Sequence, residues 1–316
     1  MKLSLDHIEG CFVGLAVGDA LGVPVEFHER SVLKRNPVKT MTGFGTWRQP
    51  VGTWSDDSSL TFCLAESLLK GYDLEDVGAS FVKWMTNGYW GAHRKVFDIG
   101  GTTRTALGRI LDGEDPHFSG EFDVESNGNG SLMRIVPASI YFFKNDSERL
   151  MERMKEISGV THAHFRSVFS CFIFSKFVSA IIDGYDKKDA YTSTMKEVAA
   201  FASDLNINPT EYALFKRIID GALLDAHEDQ IFSEGYVIHT LEASLWSFMI
   251  CDSFEESVLR AVNLGGDTDT TGCVTGAIAG LYYGSSGIPT HWKSVLARHE
   301  DITTLAKKFK NCVEQL

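Results

Sequence analysis

The chain has 316 residues, 44% of them hydrophobic and 23% charged, with 7 prolines, which is ample apolar material for a large globular core. Its formal charge of −12 argues against a nucleic-acid backbone as partner, since phosphate binding wants a basic face, but is compatible with a small phosphorylated ligand held by backbone amides. The 6 cysteines include no C-x-x-C pair and read as reduced core thiols, and the charged N-terminus lacks a signal peptide's apolar run, so the expected location is cytoplasmic, away from any membrane.

The first expected helix covers 4–21, with Ser4 or Asp6 as N-cap and Ile8, Phe12 and Leu15 along one face. Gly10, Gly14, Gly18 and Gly22 form a stripe at i, i+4 spacing on another face. Each interior glycine costs about 1 kcal/mol relative to alanine, so the stripe predicts that something packs on bare backbone. Glu26 follows where the chain leaves this helix, and its reading stays open between metal ligand, general base and outlying acid. Residues 30–54, rich in Gly, Pro and Thr, read as irregular. Ser55 caps a helix over 56–70, with Leu60, Leu64 and Leu68 on one face and Gly71 as the stop. Helices over 73–86 and 102–111 follow, ended by Gly88 and Gly113, and Asp98 stands just ahead of the second. A polar loop, 112–128, leads into Asn127-Gly128-Asn129-Gly130-Ser131, and the apolar segment 131–143 reads as a helix bent at Pro137. Helical periodicity continues over 147–158, 163–182, 186–204, 209–226, 237–250 and 253–262. A second glycine-striped helix, 268–284, and an amphipathic one, 301–315, complete the chain. No alternating β-branched run, no 20–50-residue repeat and no linker interrupts it, so the expected architecture is all-α, one compact multi-helix domain over 1–316.

Two stretches carry surplus charge. Ser55-Asp56-Asp57 and Asp267-Thr268-Asp269-Thr270 each place two carboxylates and hydroxyls at a helix entry. Either alone is a good cap. Together the four carboxylates carry a charge that two divalent ions cancel, and hard ions such as Mg²⁺ or Mn²⁺ take oxygen ligands, with Ser55 and Thr270 offering neutral ones. Without metal, four clustered carboxylates would repel and their pKa values would rise. The two glycine stripes would seat closely on a neighbouring helix, each other being one such neighbour. Gly128, Asn129, Gly130 and Ser131 would make an anion cradle at a helix entry, although an Asn-Gly pair is also an ordinary turn. His162 and His164, two apart, would point to different faces of a helix, leaving His162 as a ligand or substrate contact or as a cap.

Taken in order, these blocks resemble the ADP-ribosylglycohydrolases over most of the chain. They are Gly14–Gly22 with Glu26, Trp54–Ser58, Asp98–Gly100 with Thr102 and Thr103, Gly128–Arg134, Thr161–His162 and Gly265–Gly272. The resemblance implies an all-α fold with two Mg²⁺ or Mn²⁺ ions at the bottom of a cleft, held by Ser55, Asp56, Asp57, Asp267, Asp269 and Thr270. It implies that Glu26 matches a mobile acid near the second metal, that Gly128–Ser131 hold a diphosphate, and that His162 sits beside ADP-ribose. The implied reaction is hydrolysis at ribose C1″ of ADP-ribose attached to a protein side chain. Arginine comes first because the Asp98-Ile99-Gly100 block looks like the bacterial branch, and Glu26 or Asp98 would handle the proton. The implied partner is an ADP-ribosylated protein, and a monomer is expected. Where the family commonly has Thr, this chain has Ser55 and Ser58, which keep a hydroxyl. An ADP-ribose-binding or structural member without turnover, or a hydrolase of another ribosyl metabolite, are the alternatives; magnesium-dependent stabilisation by ADP-ribose followed by a release assay separates them.

Overall fold

A computed structural model describes residues 3–316, and among them every regular element is helical; pairing of extended chain is confined to the isolated bridges Phe44–Gln49, Glu121–His162 and Gly128–Tyr236. The all-α expectation is met. At the centre, Leu5–Gly22 lies antiparallel to Thr268–Tyr283, with Gly10 opposite Gly280, Gly14 opposite Gly276 and Gly18 opposite Gly272. A Cβ on any of these six would fall inside the contact distance of the facing backbone. The two stripes are therefore packed on each other, which is why the sequence tolerates them.

Other helices close round this pair. Phe254–Val262, Val237–Met249 and His299–Val313 pack directly on one or both members. Asp56–Leu68 is wedged between the pair and Val136–Tyr141. Behind its acid-bearing end sits an aromatic knot: Phe62 meets Trp54 edge-on at 5.6 Å, Trp90 at 5.3 Å and Phe12 at 6.3 Å. Burying such a ring is worth roughly 2–3 kcal/mol, enough to fix the helix against its neighbours. Leu5–Val25 and Phe165–Ile182 are long and apolar enough to cross a bilayer by composition, yet here 89% and 83% of them is buried inside the fold. One continuous hydrophobic cluster runs from Ile8 to Val313.

Most expected helices appear within a residue or two of their predicted ends, and Ser4, Ser55, Asp73, Asp146 and Asp186 are side-chain caps. Three expectations need correction. The segment 131–143 is helical only over Val136–Tyr141, because Pro137 starts that helix instead of bending a longer one; its missing N–H is harmless in the first turn. The span 209–226 breaks into Pro209–Leu214 and Lys216–Ile219, and the chain then turns at Gly221, whose φ is 81°. Residues 30–54 are not wholly irregular, since Arg30–Arg35 is helical, and Thr290–Val295 is a further short helix.

Candidate active site

The glycine seat fixes where the acids go. At its open end Gly22 lies against the backbone of Thr268 and Asp269, and Thr268 Oγ1 donates to Gly22 O at 2.8 Å. The chain leaving the first helix is thereby delivered beside the start of the other. Glu26, Asp267 and Asp269 consequently present carboxylate oxygens within 4.8 Å of one another. Backbone bonds hold the crossing: Phe27 N donates to Gly266 O at 2.7 Å, and Gly266 N donates to His28 O at 2.9 Å. Arg30 reinforces it by donating to Leu264 O at 2.7 Å and to Glu228 O at 2.5 Å.

The second pair of acids arrives on the entry of Asp56–Leu68. Asp19, on the first helix, accepts from Ser55 N at 2.8 Å, Ser58 N at 3.1 Å and Ser58 Oγ at 2.6 Å. This buried carboxylate caps the incoming helix from outside its own chain segment. Ser55 Oγ caps the same turn by accepting from Asp57 N at 3.2 Å. Asp57 then meets the other helix entry through Thr270 Oγ1, which donates to its Oδ1 at 3.2 Å. Asp267 caps its own helix, accepting from Thr270 N at 3.3 Å, and takes a second bond from Asn129 Nδ2 at 2.7 Å. Two oxygens are left over. Asp57 Oδ2 and Asp269 Oδ2 are buried and have no hydrogen-bond partner among the described residues.

The electrostatics match that surplus. Burial, with like charges added to it, holds Asp56, Asp57 and Asp269 well above the usual carboxylate range. Asp19 is pushed up to about 7 by burial despite its three donors. Glu26 reaches about 9, first from burial and then from the neighbouring Asp98 charge. Asp98 is likewise raised by burial, and Trp47 Nε1 donates to Glu26 Oε2. A set of hard oxygens with orphaned, mutually repelling members fits divalent cations, since paired positive charge would relieve both defects at once. Asp57, Asp267, Asp269, Glu26 and Thr270 are the groups best placed to supply ligands, with Asp56 beside them at the cleft wall.

A cleft of about 260 Å³ opens above these acids, lined by Glu26, Phe27, Asp56, Asp57, Asp98, Gly100–Thr103, Gly128–Gly130, Met133, His162, Gly235, Asp267 and Thr270. The structure thus brings together nearly all the sequence-derived site residues. His162 packs edge-on to the glycine turn: its ring lies so close that a Cβ on Gly130 would collide with it. Its Nδ1 pairs with Thr161 Oγ1 at 2.7 Å, and burial, then the nearby Arg134 charge, lowers its pKa to about 3, so the ring is neutral. His164, not His162, is the helix cap, its Nδ1 accepting from Arg166 N at 3.2 Å. Three members of the expected set, Ser131, Ser55 and Asp269, are not among the cleft-lining residues, Asp269 being buried beside Glu26 and Asp267. Ser131 lies off the cleft lining, fully buried, its Oγ accepting from Ser158 Oγ at 2.8 Å and lying 3.6 Å from Cys171 Sγ. Ser55 caps the helix that carries Asp56 and Asp57, as expected.

Sequence reasoning passed over three contributors and part of the role of a fourth, Asn129. Asp19 was legible only as one residue of a block. Asn129 was read as part of an anion cradle, yet its side chain also ties Thr240, at 2.9 Å, to Asp267. Trp47 lies in a stretch read as irregular. Arg134, wholly buried, donates to Gly130 O and, at 3.3 Å, to Ile157 O, which braces the glycine turn from behind. All but Asp19 act through contacts 20 or more residues away in sequence or on backbone atoms, where residue type carries little signal; for Asp19, burial in a glycine-lined helix was the available clue.

Comparison with known proteins agrees with this geometry. The ADP-ribosylglycohydrolase family model matches residues 2–315. The chain is 36% identical over 308 residues to an "ADP-ribosylarginine hydrolase Tri1" of Serratia proteamaculans, covering 97% of this chain and 79% of that protein. It is 28% identical to the "ADP-ribosyl-[dinitrogen reductase] glycohydrolase" of Rhodospirillum rubrum, covering 92% and 90%. A solved structure described as "ADP-ribosylglycohydrolase-related protein complex" superimposes with a TM-score of 0.82 at 32% identity, over 99% of this chain and 100% of that one. With the match running through every block that builds the cleft, the chain belongs to the ADP-ribosylglycohydrolase family of enzymes.

Proposed function

We propose that the protein removes ADP-ribose from modified protein side chains, arginine foremost, with two divalent cations, Mg²⁺ or Mn²⁺, held by Ser55, Asp56, Asp57, Asp267, Asp269 and Thr270. The observation that carries the metal reading is the pair of orphaned buried oxygens, Asp57 Oδ2 and Asp269 Oδ2, the first on a residue lining the cleft and the second on one whose carboxylate lies within 4.8 Å of Glu26 and Asp267. Relatives named as ADP-ribosylarginine hydrolases, at 36% and 32% identity, support arginine as the acceptor. When bound, such cations supply Lewis-acid polarisation and an activated water.

The chain's own residues would do the rest. Gly128 and Gly130, which line the cleft, would offer their backbone amides to the diphosphate, the Asn129 amide between them being taken by Gly235 O at 3.0 Å. His162 stays neutral beside them and can hydrogen-bond through Nε2 without adding charge. Glu26 and Asp98 both line the cleft and are raised by burial, so that one of them would carry the proton for the departing side-chain nitrogen.

The decisive experiment follows ADP-ribose release from ADP-ribosylarginine and ADP-ribosylserine peptides, before and after EDTA and after refilling with Mg²⁺ or Mn²⁺. Metal-dependent release from the arginine peptide is expected. Full turnover after EDTA, or release confined to the serine peptide, would sink the reading. Stabilisation by ADP-ribose with no release from either would instead identify a binding protein.

A further inference from the structure

Phe27 is an apolar ring kept in water at some cost. It is 65% exposed, and its φ of 66° puts a bulky residue in the left-handed region, a conformation about 1–2 kcal/mol above the ordinary one. It is not a loose loop tip, because the bonds to Gly266 on either side fix its backbone. It lines the cleft over the acids. Its ring begins a row: Trp47 lies edge-on at 6.3 Å, and Phe97 follows Trp47 at 5.7 Å. The row is threaded into the acid pair, since Phe27 follows Glu26, Phe97 precedes Asp98, and Trp47 Nε1 donates to the Glu26 carboxylate. Asp98 shares the left-handed backbone, with φ 51°. The glycine turn, for its part, packs on His162.

Rings alternating with carboxylates make a particular kind of surface. A guanidinium is planar, delocalised and weakly hydrated, so it stacks on aromatic faces while its N–H groups reach carboxylates; a neutral hydroxyl gains little from either. We propose that Phe27, at the cleft and backed by Trp47 and Phe97, forms an acceptor subsite that grips the cationic guanidinium of the modified arginine. This rests on the arginine reading above and deepens it: the aromatic row is what selects a planar cation over a neutral acceptor.

The test compares wild type with Phe27→Ala and Phe27→Tyr on an ADP-ribosylarginine peptide, alongside binding of free ADP-ribose, which has no acceptor. Because the ring is largely exposed, its truncation removes little core packing, and Phe97→Leu gives an independent arm at the other end of the row. Phe27→Ala should raise KM about five- to tenfold with kcat within about twofold, in keeping with loss of a partly desolvated cation–π contact. Phe27→Tyr should restore it, Phe97→Leu should raise KM more mildly, and ADP-ribose affinity should stay within about twofold throughout. An unchanged KM in both Phe27→Ala and Phe97→Leu would overturn the subsite. So would a parallel fall in ADP-ribose affinity, because the ring would then be holding the nucleotide. A wild type that binds ADP-ribose but releases none from arginine would refute the arginine reading itself, before any variant is compared.

Discussion

Asp57 and Asp269 carry one idle oxygen each, and their neighbours repel them. Neutralising one should therefore help the metal-free protein while ruining the proposed site. Asp57→Asn is expected to raise the melting temperature in EDTA by about 2–3 °C. It should abolish stabilisation by Mg²⁺ and lower turnover at least ~100-fold. Calorimetry with and without Mg²⁺, beside the release assay, checks all three; unchanged turnover would remove Asp57 from the ligand set. Asp19 behaves oppositely, because its oxygens are fully used. Asp19→Ala would strand Ser55 N, Ser58 N and Ser58 Oγ, and at about 1–3 kcal/mol for each buried group left unsatisfied it should cost about 3 kcal/mol or more in urea unfolding. Asp19→Asn, which keeps one acceptor, should cost less.

The helix pair Leu5–Gly22 and Thr268–Tyr283 shows how much of the fold was legible beforehand. A stripe of glycines in a helix is a cost that demands a close neighbour, and the demand could be read from spacing alone. That each stripe was the other's neighbour could only be suspected, because antiparallel register is set by contacts between distant segments. The acid pairs were equally legible as surplus charge on helix caps, and the structure does converge Glu26, Asp267 and Asp269. Illegible were the braces acting on backbone atoms, such as Arg134 on Gly130 O and Arg30 on Leu264 O, and the place where Pro137 starts a helix. The seat also separates glycines that matter from those that do not. Gly14→Ala would drive a Cβ into Gly276 O, where neither backbone can yield, and should destabilise by more than about 3 kcal/mol. Gly108→Ala, on the Gly101–Leu111 helix with nothing near its added Cβ, should instead stabilise by about 0.5–1 kcal/mol. Chemical denaturation of the two variants in parallel decides the matter.

Across the whole molecule the raised acids add into one pH response. Each has a folded pKa above its unfolded value, so its contribution to stability is fully present below about pH 4 and is lost as pH rises through the folded pKa, about 7 for Asp19 and about 9 for Glu26. The metal-free protein should therefore lose melting temperature steadily from about pH 5 to 9. Saturating Mg²⁺ should flatten the curve, with the largest gain at the alkaline end; a metal-induced gain that shrinks with rising pH would contradict the proposed ligand set. The glycine seat carries a further consequence, for the order of events in folding. The bond from Thr268 to Gly22 joins residues 246 apart, so the seat closes a very long loop and belongs among the slow, high-contact-order steps. During synthesis the bare glycine face of the first helix must wait until the last quarter of the chain emerges, and no acid cluster exists until it does. On refolding from urea, helix content should return well before ADP-ribose binding, and the lag between the two signals is the time the two stripes take to find each other.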